Sequence, residues 1–164
     1  MALNDEITVL SSLPALRGFE QGALRRIALS VQTRILRAGD TLYRRGEAAE
    51  GAYVVMSGEI ALVDAAGNTV ALARPGDMLG ELALLIEIEW RETATARRSA
   101  SVMRVSRALM RRILGEFPAS AAAFQVEIAG RVSALSGELE RVRQSLLALD
   151  GAAPGGDETM GAAP

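Results

Sequence analysis

Between Thr33 and Val105 the chain is cut into short apolar runs by Gly39, Gly46, Gly51, Gly58, Gly67 and Gly76. The runs, within "TRILRAGDTLYRRGE" and "GAYVVMSGEIALVDAAGNTVALARPGD", are β-rich. Gly-Asp, Ser-Gly and Gly-Asn pairs at the breaks supply the positive-φ positions that tight turns require. Short strands punctuated in this way predict a closed or double-sheet β architecture, a jelly roll, which leaves few strand edges exposed. "SASVMRVSR" reads as its last strand.

Both flanks carry a helical period instead. Asn4 to Val31 reads as two short helices, the first capped by Asn4 or Asp5 and separated from the second by Pro14. The second places Leu24, Ile27, Ala28 and Val31 on one stripe, with Arg25 and Arg26 opposite. After the β region, Ser106 is positioned to cap a helix whose face is Leu109, Ile113 and Leu114, and Pro118 breaks or restarts it.

A long helix over about 119–150 follows. Ile128, Val132, Leu135, Leu139, Val142, Leu146 and Leu149 recur at alternating gaps of four and three. Val132, Leu139 and Leu146 take heptad position a, and Leu135, Val142 and Leu149 take d. Glu138 at g and Arg143 at the following e complete the pairing of a parallel two-stranded coiled coil. An amphipathic helix lying on its own domain would show a stripe too. The sustained heptad spacing and the charge pair favour a homodimer, with Ile128, Val132, Leu135, Leu139, Val142 and Leu146 at the interface. Gly130 and Gly137 each weaken the helix by ~1 kcal/mol against alanine, so it needs packing to persist. The fold expected is α+β: a β jelly roll, short N-terminal helices and a long C-terminal dimerisation helix, all in one domain over 1–150. "GAAPGGDETMGAAP", 151–164, reads as a disordered tail.

Composition narrows the chemistry. Of 164 residues 49% are hydrophobic but only 4% aromatic, so the core is aliphatic. Neither cysteine nor histidine occurs. Disulfides, thiolate metal sites, imidazole triads and the histidine-rich metal centres of some jelly-roll enzymes are thereby excluded, and no enzyme activity, cofactor or metal is expected. The formal net charge is −2, without the basic surplus of a nucleic-acid binder. The Arg pairs in "LRRIAL", "YRRGE", "TARRSAS" and "MRRIL" read as solvated faces. "MALNDEITVL" lacks the basic start of a signal peptide, and no apolar run approaches the ~20 residues a bilayer requires. A soluble, cytoplasmic protein without nucleic-acid or membrane partners is expected.

One stretch, "GELALLIEIEWRETATA" at 80–96, looks like a loop built to hold a phosphate. A Gly-Glu-apolar turn offers backbone N–H groups and a carboxylate, and a small-residue run follows. With "RAGDTLYRRGE", "AYVVMSGEIAL" and "RPGDMLGELALL" in the same order, the chain from about Leu13 to Asp150 resembles the cyclic-nucleotide-binding domain family. The layout is similar to the sensor half of a catabolite-activator-type bacterial regulator.

That resemblance implies a ligand, cyclic AMP or cyclic GMP, and a phosphate-binding cassette. Gly80, Glu81, Leu82 and Ala83 match its first half, in which turn N–H groups meet the phosphate and the Glu accepts the ribose 2′-OH. Thr93, Ala94 and Thr95 match the closing small-residue run. Between them the family places an arginine that makes a charge-assisted bond to phosphate. Without a gap that position falls on Glu92; one extra loop residue would give it to Arg91, the candidate cation. On the long helix, the family's adenine-contacting pair falls on Leu135 and Ser136. The tail is too short for the winged helix-turn-helix that follows in such regulators, so no DNA-binding domain is expected. Two functions stand: a dimeric ligand sensor, weak or degenerate for its nucleotide and acting on an unknown downstream protein partner, or a ligand-independent dimerisation or adaptor module that retains only the fold.

Overall fold

Two matching turns show how the β region closes. In Arg37–Asp40 and again in Arg74–Asp77 the aspartate carboxylate accepts the Arg backbone N–H three residues earlier, at 2.8 Å in both. Gly39 and Gly76 sit at φ +92° inside these turns, where a side chain would be strained. Gly46, Gly58 and Gly67 are also at positive φ. Gly51 is not; it begins a strand, and a Cβ there would lie 2.2 Å from the Val105 carbonyl oxygen. Its expected role as a turn residue is therefore replaced by close strand packing.

The computed structural model describes residues 3–151, apart from the side chains at 135, 138 and 149–151. The first unit ends at Ile128 and the second begins at Ala129. The first opens with α1 (Leu3–Ser12), a 3-10 turn at Pro14–Leu16, and α2 (Gln21–Ser30). Asn4 and Asp5 lie inside α1 rather than before it, and the Asn4 carbonyl accepts from the Thr8 hydroxyl. The expected capping role of those two residues fails because Leu3, before them, is already helical.

Ten strands follow: β1 (Gln32–Leu36), β2 (Thr41–Tyr43), β3 (Ala48–Ala49), β4 (Gly51–Ser57), β5 (Ile60–Val63), β6 (Thr69–Ala73), β7 (Met78–Leu79), β8 (Ile88–Glu89), β9 (Thr93–Ala96) and β10 (Ala100–Ser106). One four-stranded sheet runs β1-β10-β4-β7 and the other β2-β9-β5-β6, with β3 and β8 as a separate ribbon. All described pairs are antiparallel. This is the jelly-roll-like α+β arrangement expected.

Strand alternation divides the interior in two. Ala52, Val54, Met103 and Val105 face the helices and share a core with Leu10, Leu16, Ile27, Ile113 and Phe124. The opposite face carries Leu36, Val55, Leu79 and Val102, which pack on Leu42, Ile60, Ala94 and Ala96 from the second sheet. Successive strand residues point to opposite faces, so one sheet serves both cores.

Ser106 caps α3 (Arg107–Glu116), its hydroxyl accepting from the Leu109 N–H at 3.1 Å. After Phe117 the long helix α4 spans Pro118–Gly151. Ser120 is fully buried, and its hydroxyl accepts from the Glu20 N–H at 3.0 Å. Phe124 meets Phe19 edge-on at 5.9 Å.

Ile128, assigned above to the dimer seam, is only 7% exposed and belongs to the helix-side core of its own unit. It has little surface left for a second chain. In the second unit Val132, Leu139, Val142 and Leu146 are exposed on α4. Leu135 and Leu149 have side chains outside those described, as does Glu138. The expected tail lies outside the described residues except Gly151, which ends α4.

Candidate functional site

The 3-10 turn Glu81–Leu84 is entered through Gly80 at φ +79°. A left-handed residue there is accessible to glycine at little strain. The position demands glycine for a second reason: a Cβ would fall 2.4 Å from the six-membered ring of Trp90. Ala83 is fully buried and its N–H already donates to the Gly80 carbonyl at 2.9 Å. Leu82 packs on the helix-side core, while Glu81 is half-buried. The turn is thus preserved as a turn, with Leu82 and Leu84 held by the helix-side core and Ala83 by the other.

Trp90 is 8% exposed. Its ring stacks on Tyr43 at 3.7 Å and 8°, and both lie about 6 Å from Tyr53, at 6.0 and 6.1 Å. Its backbone is fastened as firmly: the N–H donates to the Glu47 carbonyl at 3.0 Å and the carbonyl accepts from Gly46 at 2.8 Å. A little further on, the Thr93 hydroxyl accepts from the Arg45 N–H at 3.1 Å. Strand β9 is registered from both sides, with Ala94 opposite both Leu62 and Tyr43.

Between these ties the two adjacent candidates differ in exposure. Arg91 is exposed; its carbonyl accepts from the Arg45 guanidinium at 3.1 Å, and it lines an open cleft with Arg45 and Glu89. Glu92 is half-buried and near Tyr43. Arg91, the candidate phosphate cation, thus stands exposed at the cleft it shares with Trp90. Thr93 and Ala94 reach the inner region, half-buried and fully buried respectively. Ser136 is exposed on α4 in the second unit.

The tyrosine in the stack reports this environment. Burial raises the Tyr43 phenol well above its ordinary value, and the Glu92 and Tyr53 charges add to the shift. Above pH ~10 tyrosine in the unfolded chain ionises while folded Tyr43 keeps its proton. The unfolded state then binds fewer protons, so stability falls with rising pH, by up to ~1.4 kcal/mol per unit from this group. Urea unfolding between pH 8 and 11 should show that slope in the native protein and a shallower one in Tyr43→Phe. Equal slopes would contradict the assignment.

A residue that sequence reasoning passed over holds the turn from behind. One guanidinium nitrogen of Arg107, at the start of α3, donates to the carbonyls of Ala49, Ala83 and Ile86 at 3.2, 3.2 and 2.7 Å. Its three acceptors come from β3, the 3-10 turn and the loop beyond. No local motif announces such a clamp. Among the described residues no group of acidic side chains is arranged to hold a metal ion, and no helix is long and apolar enough to cross a membrane.

The profile of the cyclic nucleotide-binding domain matches residues 33–117, which contain every strand from β2 to β10 and all of the turn. An uncharacterized NTE family protein of Mycobacterium bovis is 31% identical over 112 residues, 68% of this chain but 18% of that protein. The chain thus spans about a fifth of the first curated relatives it matches. The structure of a cyclic nucleotide-binding-like protein from Brucella abortus superposes with TM-score 0.63 at 34% identity, covering 68% of this chain and 98% of that one. The regulatory domain of Toxoplasma gondii PKA, crystallised with cAMP, does so at 0.63 and 25%, covering 68% and 44%. The turn, the roll around it and these matches agree: the chain belongs to the cyclic nucleotide-binding domain family.

Proposed function

We propose that this chain is a dimeric regulatory module whose cassette takes cyclic AMP or cyclic GMP weakly. The observation that carries the reading is Trp90 laid against Gly80, with Glu92 immediately before the small-residue strand. Gly80, Glu81, Leu82, Ala83, Thr93 and Ala94 supply the cassette, and Glu92 takes the place the family gives to arginine. A cyclic nucleotide as ligand class is supported by the Toxoplasma relative, which was crystallised with cAMP. The module acts without catalysis in the cytoplasm, and its output passes to a protein partner. The same Trp90 contact favours a second reading, a ligand-independent dimerisation or adaptor module, if the ring never leaves Gly80. Calorimetric titration with both nucleotides chooses between them. Weak saturable heat supports the sensor, and none at millimolar nucleotide supports the adaptor.

The dimer forms through Val132, Leu139, Val142 and Leu146 of α4. Leu139 at 71% exposed and Val142 at 56% support this: such side chains in a row gain by being covered. Leu139→Asp would bury an unpaired charge in the seam and should convert the dimer to monomers. Light scattering at micromolar concentration is the measurement, and a monomeric native protein there would sink the proposal.

A further inference from the structure

Across the inner face of the first sheet, cationic and aromatic side chains stand in one row. Gln32 of β1 lies opposite Arg104 of β10, and Arg104 lies opposite Tyr53 of β4. Arg34, two residues beyond Gln32, shares that face and is diagonal to Arg104. Tyr43 from β2 and Trp90 from the loop before β9 stand across from the row. Arg34, Arg104, Tyr53, Tyr43 and Trp90, with Glu50, line an open cleft of about 370 Å³. The size falls within the range of small-ligand sites.

The charges in the cleft are only partly answered. The Arg34 guanidinium donates to the Leu42 carbonyl at 3.2 Å and has no acidic partner among the described residues. Arg104 donates to Glu50 at 3.2 Å, but that carboxylate side chain is 76% exposed. An ion pair so open to water is weak and readily exchanged. Arg44 also lines the cleft; the Glu47 carboxylate there accepts from the Arg44 backbone N–H, not from its guanidinium. Like charges set near each other on one sheet face repel. Arranged around an opening, they favour an anion between them, and an aromatic wall favours a planar ring beside it.

We infer that this cleft binds a small aromatic anion, its ring against Tyr53 and its anionic group between Arg34 and Arg104. Gly80 and the rest of its turn do not line this cleft, and the site does not depend on the cassette retaining a nucleotide.

The chain's one tryptophan lines the cleft, so its fluorescence reads occupancy directly. The probe is 4-nitrophenyl phosphate, a planar anion that quenches tryptophan. Neutral 4-nitrobenzyl alcohol and inorganic phosphate serve as controls for ring and charge alone. Saturable quenching by the probe is expected, with only linear collisional quenching by the alcohol and none by phosphate. Arg34→Gln and Arg104→Gln should each weaken binding roughly 5- to 20-fold, the loss of one charge-assisted bond at a partly exposed site. Glu50→Gln should tighten it roughly 2- to 5-fold by releasing Arg104. A misfolded variant cannot produce that gain. Linear quenching by the probe, or saturable quenching indifferent to both Arg substitutions, overturns the assignment. So does a probe affinity that follows Glu92→Arg instead, since that would locate the anion at the cassette. Cyclic AMP titrations of the native protein are scored separately and leave this result unchanged.

Discussion

Replacing Arg107 with methionine should lower the unfolding free energy by about 2–4 kcal/mol. The magnitude follows from what the guanidinium does: it donates to three carbonyls contributed by β3, the 3-10 turn and the loop after it. A hydrogen bond from a charged donor is worth ~1.5–3 kcal/mol, and three acceptors shared by one nitrogen add less than three times that. Methionine retains much of the side chain's apolar length, so the loss isolates the donor. Lysine should recover only part, because an ammonium is a compact point charge without the guanidinium's planar fork. Urea unfolding, with the midpoint shifted at constant m-value, gives the number. Trp90 fluorescence should shift in the same variant under native conditions, because the loop that carries the ring has lost its anchor at Ile86. A loss under about 0.5 kcal/mol would place Arg107 among ordinary surface arginines.

The contrast between Arg107 and Ser106 shows where sequence reading succeeds. Ser106 was legible as a cap because its partner, Leu109, lies within one turn of the same helix. The turns around Gly39 and Gly76, the stripe on α2 and the break at Pro118 were legible for the same reason: each is a local matter of dihedral angle or period. Ile128 fits the seam by spacing yet is buried in the helix-side core, because a heptad position and a core position look alike along one helix. A lone aromatic in an acidic loop reads as exposed or half-buried; Trp90 is buried instead, because its neighbours come from elsewhere in the chain. Tyr43 and Gly80, which it covers, lie 47 and 10 residues earlier in the chain. The family's cassette could be recognised by pattern, but the ties that hold its two adjacent candidates, at Gly46, Glu47 and Arg45, come from a distant part of the chain.

Glu92→Arg should raise affinity for cyclic AMP by about a hundredfold or more. At 4 Å a carboxylate repels one phosphate charge by ~1 kcal/mol in water and ~4 kcal/mol at an effective dielectric of 20. Exchanging it for a guanidinium removes that repulsion and adds a charge-assisted bond of ~1.5–3 kcal/mol. With each ~1.4 kcal/mol a factor of ten, the low end of the two terms already gives close to two orders of magnitude. Trp90 limits how much of this is realised, since its ring rests where a Cβ on Gly80 would sit. Trp90→Ala alone should change binding little, because Glu92 still repels the phosphate. It should also cost about 3–5 kcal/mol of stability, as a large ring leaves the core. Combined with Glu92→Arg, it should give more affinity than the two changes summed, since each removes an obstacle the other leaves. Arg91→Ala, at an exposed position, should do nearly nothing. The opposite pattern has a clear meaning. If native protein binds cyclic AMP at low micromolar Kd and Arg91→Ala abolishes it, the loop slips by one residue on binding, Trp90 leaves Gly80, and Arg91 is the phosphate ligand of a working sensor.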